Sequence, residues 1–159
     1  MTSDLDAQWV TIDRTFAAPP AVIWQMWTVP EHFARWYGPN GVTIHVESMD
    51  VRVGGRRHIR MDSDTPNGPM QMWFVGDHLE IVENEVLVYT ESISDDAGAI
   101  VSPADLGMPG HPEVTEVHVR LTAADGGTRI LMSHVGVPAG SPAASGWGMA
   151  FDKLAAAAS

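Results

Sequence analysis

The chain has 159 residues, and its 20 acidic and 9 basic side chains give it a formal net charge of −11 at pH 7. This balance argues against binding to nucleic acids or anionic membranes, because both need Lys and Arg side chains that neutralise phosphates. The chain contains no cysteine, which excludes disulfides, thiolate catalysis and cysteine-ligated zinc.

The length favours a single domain, which we expect to span residues 1–159. The first ten residues, MTSDLDAQWV, contain neither a basic segment nor an apolar one, so they differ from a secretory signal. No apolar run in the sequence approaches the length of a membrane span. We therefore expect a cytoplasmic protein.

The first elements in the chain are one predicted strand and two short helices. β-Forming residues predict the strand over 8–16, and proline followed by spaced apolar residues predicts the first helix over 20–27. The stretch 27–41, WTVPEHFARWYGPNG, carries four large aromatic residues. Thr28 lies three positions before Glu31, which predicts a capping box at the start of the second helix. A helix this short needs a packing partner to be stable.

From Val42 onwards, apolar residues alternate with polar ones, which is the period of a half-buried strand. The same period recurs in later segments that are separated by turns rich in Gly, Pro and Asn. Because short turns join antiparallel neighbours, we expect an antiparallel sheet, with Gly76-Asp77 as a β-bulge. The later predicted strands cover residues 56–62, 70–82, 85–93, 113–123 and 128–136.

The longest irregular segment is 94–112, SDDAGAIVSPADLGMPGHP. It is rich in Gly, Pro and Asp, but it also carries apolar side chains such as Ile100, Leu106 and Met108. A long loop with apolar side chains is often the lid or rim of a pocket. A surface connection without such a role is the alternative, and the sequence leaves both open.

The last predicted element is an Ala-rich helix over 142–158. Trp147, Phe151 and Leu154 follow the i, i+4, i+7 spacing of a helix whose apolar stripe packs on a sheet. Strands bracketed by helices predict an α+β fold. We expect a curved antiparallel sheet of six or seven strands around a long C-terminal helix, with a cavity between them.

Segments spread over nearly the whole chain resemble one superfamily. They are FAAPPAVIWQMWTVPEHFARWYGP (16–39), Gly54-Gly55, LVYTES (87–92), TEVHVRLTAADGGTRILMSHVG (115–136) and GWGMAFDKLAA (146–156). The chain resembles the SRPBCC (START-like, helix-grip) superfamily, and within it bacterial proteins similar to the C-terminal domain of the activator of the heat-shock-protein-90 ATPase. The resemblance implies a helix-grip fold with a deep cavity, although the 94–112 loop is larger than usual for this group. Superfamily members bind lipids, hormones or polyketides, some cyclise or dehydrate polyketide intermediates, and the eukaryotic relatives bind a chaperone.

The alternating apolar positions of the strands, together with aromatic residues of the helices, are predicted to line this cavity. Met and Trp offer adaptable apolar surface that suits a pocket for varied ligands, while simple core filling is the alternative for each of them. The predicted lining residues are Trp27, Trp36, Ile59, Met61, Met72, Phe74, Val117, Val119, Met132, His134, Trp147 and Phe151.

His134 is the strongest candidate for chemistry. A neutral imidazole on the apolar face could orient a ligand or act as a general base, but a lone histidine there is more often a satisfied core or rim residue. Glu91 or Tyr89 would complete an acid–base pair if they faced inward. For Glu91 we favour the interpretation that it is an ordinary surface carboxylate. The seven histidines show no metal-ligand spacing, and nucleotide-binding and GxSxG motifs are absent from the sequence, so we expect neither a metal nor a cofactor.

Three functions remain after these observations. We predict that the cavity binds a small hydrophobic or amphipathic ligand. The alternative is an enzyme of the polyketide cyclase or dehydratase type that uses His134 with Glu91 or Tyr89. The second alternative, suggested by the resemblance, is a chaperone co-factor. Exposed sheet edges leave a homodimer open as well.

Overall fold

The computed structural model describes residues 8–158. Strand β1 (Trp9–Phe16) leads into helix α1 (Pro20–Thr28) and the short helix α2 (Pro30–Phe33). Six strands follow: β2 (Val42–Met49), β3 (Arg56–Thr65), β4 (Gly68–Val82), β5 (Val86–Ser94), β6 (Thr115–Ala124) and β7 (Gly127–Pro138). A 3-10 turn (Pro103–Leu106) lies between β5 and β6, and helix α3 (Ala143–Ala158) follows β7.

The strands form one antiparallel sheet of seven strands in the order β1-β7-β6-β5-β4-β3-β2. The chain starts at one edge with β1, passes through the two short helices to β2 at the other edge, and returns strand by strand to β7. The predicted α+β helix-grip fold is thereby confirmed, including the two short helices after the first strand and the long C-terminal helix.

The predicted capping box at the start of the second helix is wrong. Thr28 is the last residue of α1, and its hydroxyl donates to the carbonyl of Trp24 at 2.8 Å. Val29 occupies the N-cap position of α2 and has no side chain that could accept a hydrogen bond there. The competing bond within α1 therefore decides the orientation of the threonine.

The predicted β-bulge at Gly76-Asp77 is also misplaced. The register of β4 against β5 shifts between His78 and Glu80. Gly76 has a different role, because a Cβ at this position would lie 1.7 Å from the carbonyl oxygen of Thr90. Only glycine allows β4 and β5 to approach this closely.

The core lies between the sheet and the helices, and aromatic rings dominate it. The Trp27 ring packs against the rings of Trp36, Trp147 and Phe151 at centroid distances of 4.6, 6.3 and 6.4 Å. Trp36 is fully buried, and its indole N–H donates to the carbonyl of Met26 at 2.7 Å. These contacts hold the chain around α2, which is too short to be stable alone.

Candidate functional site

A cleft of about 560 Å³ separates the N-terminal half of α3 from the sheet. Met61 of β3, Glu91 of β5 and His134 of β7 form its floor. Its sides are formed by segment 37–39, Pro142 and one face of α3: Ala143, Ser145, Gly146, Trp147, Met149 and Ala150. Small-molecule sites in proteins typically measure about 300–1,000 Å³. The cleft therefore has the size of a ligand site.

Small side chains on α3 create this cleft. Ala143, Gly146 and Ala150 line it and follow the spacing i, i+3, i+7, so they share one face of the helix. A Cβ at Gly146 would lie 3.8 Å from Pro39, which is ordinary contact distance. Bulky residues on this face would fill the space between helix and sheet.

The carboxylate of Glu91 is the polar centre of the floor. Its Oε1 accepts hydrogen bonds from Nη2 of Arg57 at 2.6 Å and from the Tyr37 hydroxyl at 3.0 Å. Because Tyr37 has a single proton and gives it to Glu91, the Tyr89 hydroxyl, 2.8 Å away, must donate to the Tyr37 oxygen. Burial raises the pKa of both tyrosine hydroxyls above their ordinary range, so both protons stay in place.

Arg57 lies beneath this network with only 2% of its side chain exposed. Its guanidinium carbon sits 4.1 Å from the centroid of the Tyr89 ring, and it also faces the rings of Phe33 and Tyr37 at 5.4 and 5.3 Å. Cation–π contacts of this kind favour a desolvated guanidinium. Arg57 and Glu91 thus form a buried pair without net charge, and of the two only Glu91 lines the cleft.

His134 is 7% exposed and engaged through both ring nitrogens. The indole N–H of Trp147 donates to Nδ1 at 3.0 Å, and since an indole nitrogen only donates, Nδ1 carries no proton. Nε2 therefore carries it and donates to Oγ1 of Thr115 at 2.8 Å, which in turn donates to the backbone carbonyl of Glu91 at 2.9 Å. Burial lowers the pKa of His134, in keeping with a neutral ring.

The structure brings two of the three candidate catalytic residues to the cleft. The interpretation of Glu91 as a surface carboxylate is wrong, because its side chain is 13% exposed and pairs with Arg57. Tyr89 is buried below the floor, and Val117 of β6 separates it from His134 by two strand spacings, roughly 10 Å. Within residues 8–158, no hydrogen bond joins His134 to Tyr89 or to the Glu91 carboxylate. His134 is a satisfied core histidine at the edge of the cleft.

The predicted lining residues divide between the cleft and the core. Met61, His134 and Trp147 line the cleft, and Phe74 lines a smaller cavity beside it. Met72 is half-buried and lines neither of the two. The remaining residues lie in the packed core because α1, α2 and the C-terminal half of α3 cover that part of the sheet: Trp27, Trp36, Ile59, Val117, Val119, Met132 and Phe151.

The smaller cavity, about 200 Å³, connects the cleft to the 94–112 loop. It shares Glu91, His134 and Ala143 with the cleft, and Met108 and His111 of the loop border it on the other side. The Asp95 carboxylate accepts two backbone N–H bonds of the loop, both at 2.9 Å. The loop therefore forms part of the rim of the site.

Sequence reasoning missed Arg57 and the small residues of α3. Arg57 has the same strand parity as Ile59 and Met61, which were expected to face inward. This shared parity is the feature of the sequence that could have predicted a buried side chain at Arg57. Its partner Glu91 lies 34 positions further along the chain, a separation that no local pattern reveals.

The described chain also bears on metal binding and on membrane crossing. Among residues 8–158, no group of three or more His, Asp or Glu side chains is arranged to hold a metal ion. Within the same residues, no helix has the length and apolar character that crossing a membrane requires.

Solved structures of similar fold come from several bacteria. A protein from Chromobacterium violaceum is 24% identical with a TM-score of 0.77, covering 94% of this chain and 95% of that one. A protein from Arthrobacter aurescens is 21% identical with a TM-score of 0.79, covering 98% and 88%. The AHSA1 protein from Silicibacter pomeroyi is 18% identical with a TM-score of 0.65, covering 92% and 94%. At these identities the likeness establishes the shared fold alone.

No curated protein matches the sequence. The family model described as Activator of Hsp90 ATPase homolog 1-like protein matches residues 17–159, which include both helices of the amino-terminal half, β2 to β7 and the residues that line the cleft. The chain belongs to the Activator of Hsp90 ATPase homolog 1-like family.

Proposed function

We propose that this protein binds a small hydrophobic or amphipathic molecule in the cleft between the sheet and α3. The observation that supports the proposal is the hollow itself, which is about 560 Å³ in volume and bordered mainly by apolar side chains. Apolar surface that the fold leaves uncovered in a concave site gains free energy when a ligand removes it from water.

The composition of the wall favours ligands of varied shape. Met61 of the floor and Met149 of α3 bring flexible thioethers to the cleft, and Trp147 adds a flat aromatic face. Methionine adapts its conformation to the molecule it contacts. We therefore expect moderate affinity for several related molecules rather than strict selection by shape.

The two alternatives receive less support from the structure. A cyclase or dehydratase that used His134 as its base would first have to break the bond from Trp147 to Nδ1. Chaperone binding rests on the description of the family alone. Within residues 8–158, β1 and β2 are the edge strands of the sheet, and edge strands are where two copies could pair.

The test is a thermal-shift panel of lipids, flavonoids and polyketide-like aromatics, together with native mass spectrometry of protein purified from its own cells. A ligand at about 100 times its Kd stabilises the folded state by about 2.7 kcal/mol, which raises Tm by roughly 5–10 °C at this chain length. The mass spectra should show a retained small molecule, and they count subunits in the same measurement. An unchanged Tm across the panel, with no retained mass, would contradict the proposal.

A further inference from the structure

The floor of the cleft carries an oxygen that no protein group satisfies. Oε1 of Glu91 accepts two hydrogen bonds, from Arg57 and Tyr37, whereas Oε2 accepts none within residues 8–158. Oε2 is also absent from the polar atoms that are sealed in the core without a partner. Because Glu91 lines both the cleft and the smaller cavity that adjoins it, this oxygen is open to a molecule that enters this joint space.

The other polar side chains that line the buried end of the cleft are already committed, while Nε and Nη1 of Arg57 have no partner but are sealed beneath the floor. Nδ1 of His134 accepts the indole N–H of Trp147, which uses both of those groups. The Tyr37 proton is given to Oε1 of Glu91. Ser145 lies on the exposed side of the cleft. Among the described side chains, the buried end of the cleft therefore offers a ligand one free acceptor and no free donor within its reach.

The charge of the site further restricts the chemical class of ligand that the cleft can bind. Arg57 is 2% exposed and neutralises Glu91 across 2.6 Å, so the pair carries no net charge. A ligand carboxylate would face the lone pairs of Oε2. A ligand ammonium would be attracted by Oε2, but it would lose its hydration and lie near the guanidinium, and a neutral donor avoids both costs. These charge effects are stronger beside groups with little solvent exposure, such as Arg57 and Glu91, than in bulk water.

We propose that the cleft selects a neutral hydrophobic molecule with a hydroxyl group, or another uncharged hydrogen-bond donor, at the end that lies against Oε2 of Glu91. Glu91 is then the residue that determines specificity. This inference rests on the proposed function and names the chemical class of its ligand.

A matched series of naphthalenes tests the inference on the unmodified protein. Isothermal titration calorimetry would compare 2-naphthol, 2-methoxynaphthalene and 2-naphthoate, which share one apolar body and differ in the end group. The methyl ether leaves Oε2 without a donor, so 2-naphthol should bind about tenfold more tightly or better. The anionic 2-naphthoate should bind most weakly of the three.

Glu91→Gln should reverse this order. Arg57 and Tyr37 both donate, so the amide oxygen turns toward them and the NH₂ group takes the place of Oε2. The cleft then offers a donor, and the Arg57 charge is no longer balanced. We expect 2-naphthoate to become the tightest ligand of the series. Glu83→Gln, the same change at an exposed position between β4 and β5, should keep the original order.

The results of these titrations test the ligand class and the proposed binding function separately. Equal affinity for 2-naphthol and 2-methoxynaphthalene would overturn the inference and leave a cleft that binds apolar molecules. Failure of all three naphthalenes to bind would count against both the proposed function and the inference. Should Glu91→Gln not fold, as judged by circular dichroism, the series on the unmodified protein decides the question alone.

Discussion

The indole N–H of Trp147 donates to Nδ1 of His134 across 3.0 Å and so connects α3 to β7. The bond also fixes the tautomer of the histidine, whose Nε2 must then carry the proton that reaches Thr115. Through Thr115 the connection continues to the backbone of Glu91. One chain of hydrogen bonds thus joins the last helix to three neighbouring strands at the edge of the cleft.

Trp147→Phe should raise the pKa of His134 toward the ordinary histidine value. The phenyl ring can keep the packing against Trp27, but Nδ1 loses its donor, and the neutral ring loses the bond that favours it. A buried acceptor without a partner costs about 1–3 kcal/mol, which urea unfolding should detect. The pKa itself is read by NMR titration of the imidazole ring. Trp73→Phe, on a half-buried tryptophan of β4 that packs on His58, should leave the titration of His134 unaltered.

The stability of the protein should fall as the pH is lowered from 8 to 5. Burial holds the pKa of His134 below the unfolded value of about 6.5, so the unfolded chain takes up a proton before the folded one does. The contribution of His134 is therefore complete above about pH 6.5 and is lost as the pH falls toward its folded pKa. The pKa of His78 is also lowered by burial, and it acts in the same direction.

His134→Gln should make this pH dependence less steep, while His78 keeps it from becoming flat. One histidine contributes at most about 1.4 kcal/mol per pH unit. Urea unfolding at several pH values measures the slope for both proteins. A His134→Gln slope as steep as the original would argue against the buried neutral histidine.

Gly76→Ala should destabilise the fold strongly. The added Cβ would lie 1.7 Å from the Thr90 carbonyl oxygen, and this backbone atom cannot move without disturbing the pairing of β4 with β5. Overpacking typically costs about 1–3 kcal/mol, and we expect the upper end of that range or more. Gly140→Ala, where nothing lies within 4 Å of the added atom, is the matched control. Chemical denaturation of both variants gives the comparison, and similar stabilities would refute the close approach.

Gly146→Leu should block ligand binding without loss of stability. The new side chain projects from the face of α3 that lines the cleft and occupies the space of a guest. Leucine also favours a helix over glycine by roughly 1 kcal/mol. The affinity for any molecule found in the thermal-shift panel should fall at least about tenfold, equal to 1.4 kcal/mol. Gly148→Leu, on the same helix but away from the cleft lining, should retain binding, and equal affinity of the two variants would locate the ligand elsewhere.

The fold was predictable because its signals are local. Alternation with a period of two marks β2, and the spacing of Trp147, Phe151 and Leu154 marks α3. The capping box failed for a reason that a local pattern cannot show, since Thr28 bonds within α1 instead. Because α1 extends as far as Thr28, the Thr28 hydroxyl reaches the Trp24 carbonyl, and a four-residue pattern does not show where the first helix ends.

The site was predictable only in part, because its contacts are distant in sequence. Strand parity placed Met61 and His134 on the inner face correctly, but it does not say which part of that face the helices cover. Ile59 and Met132 are therefore core residues although their parity is the same. Glu91 shares the parity of the buried Tyr89, but its charge favours a solvent-exposed position. Only the structure shows that the buried guanidinium of Arg57, 34 positions away in sequence, pairs with it.

The two halves of α3 are secured unequally. Phe151 and Leu154 anchor the second half in the core, and Lys153 donates to the carbonyl of Pro39 at 3.0 Å. The first half spans the cleft and contains Gly146 and Gly148, each of which weakens a helix by roughly 1 kcal/mol relative to alanine. Opening of the turn before Trp147 would widen the mouth of the cleft while Trp147 itself stays packed in the aromatic core. Ligand uptake and global unfolding would then be separate events with different barriers.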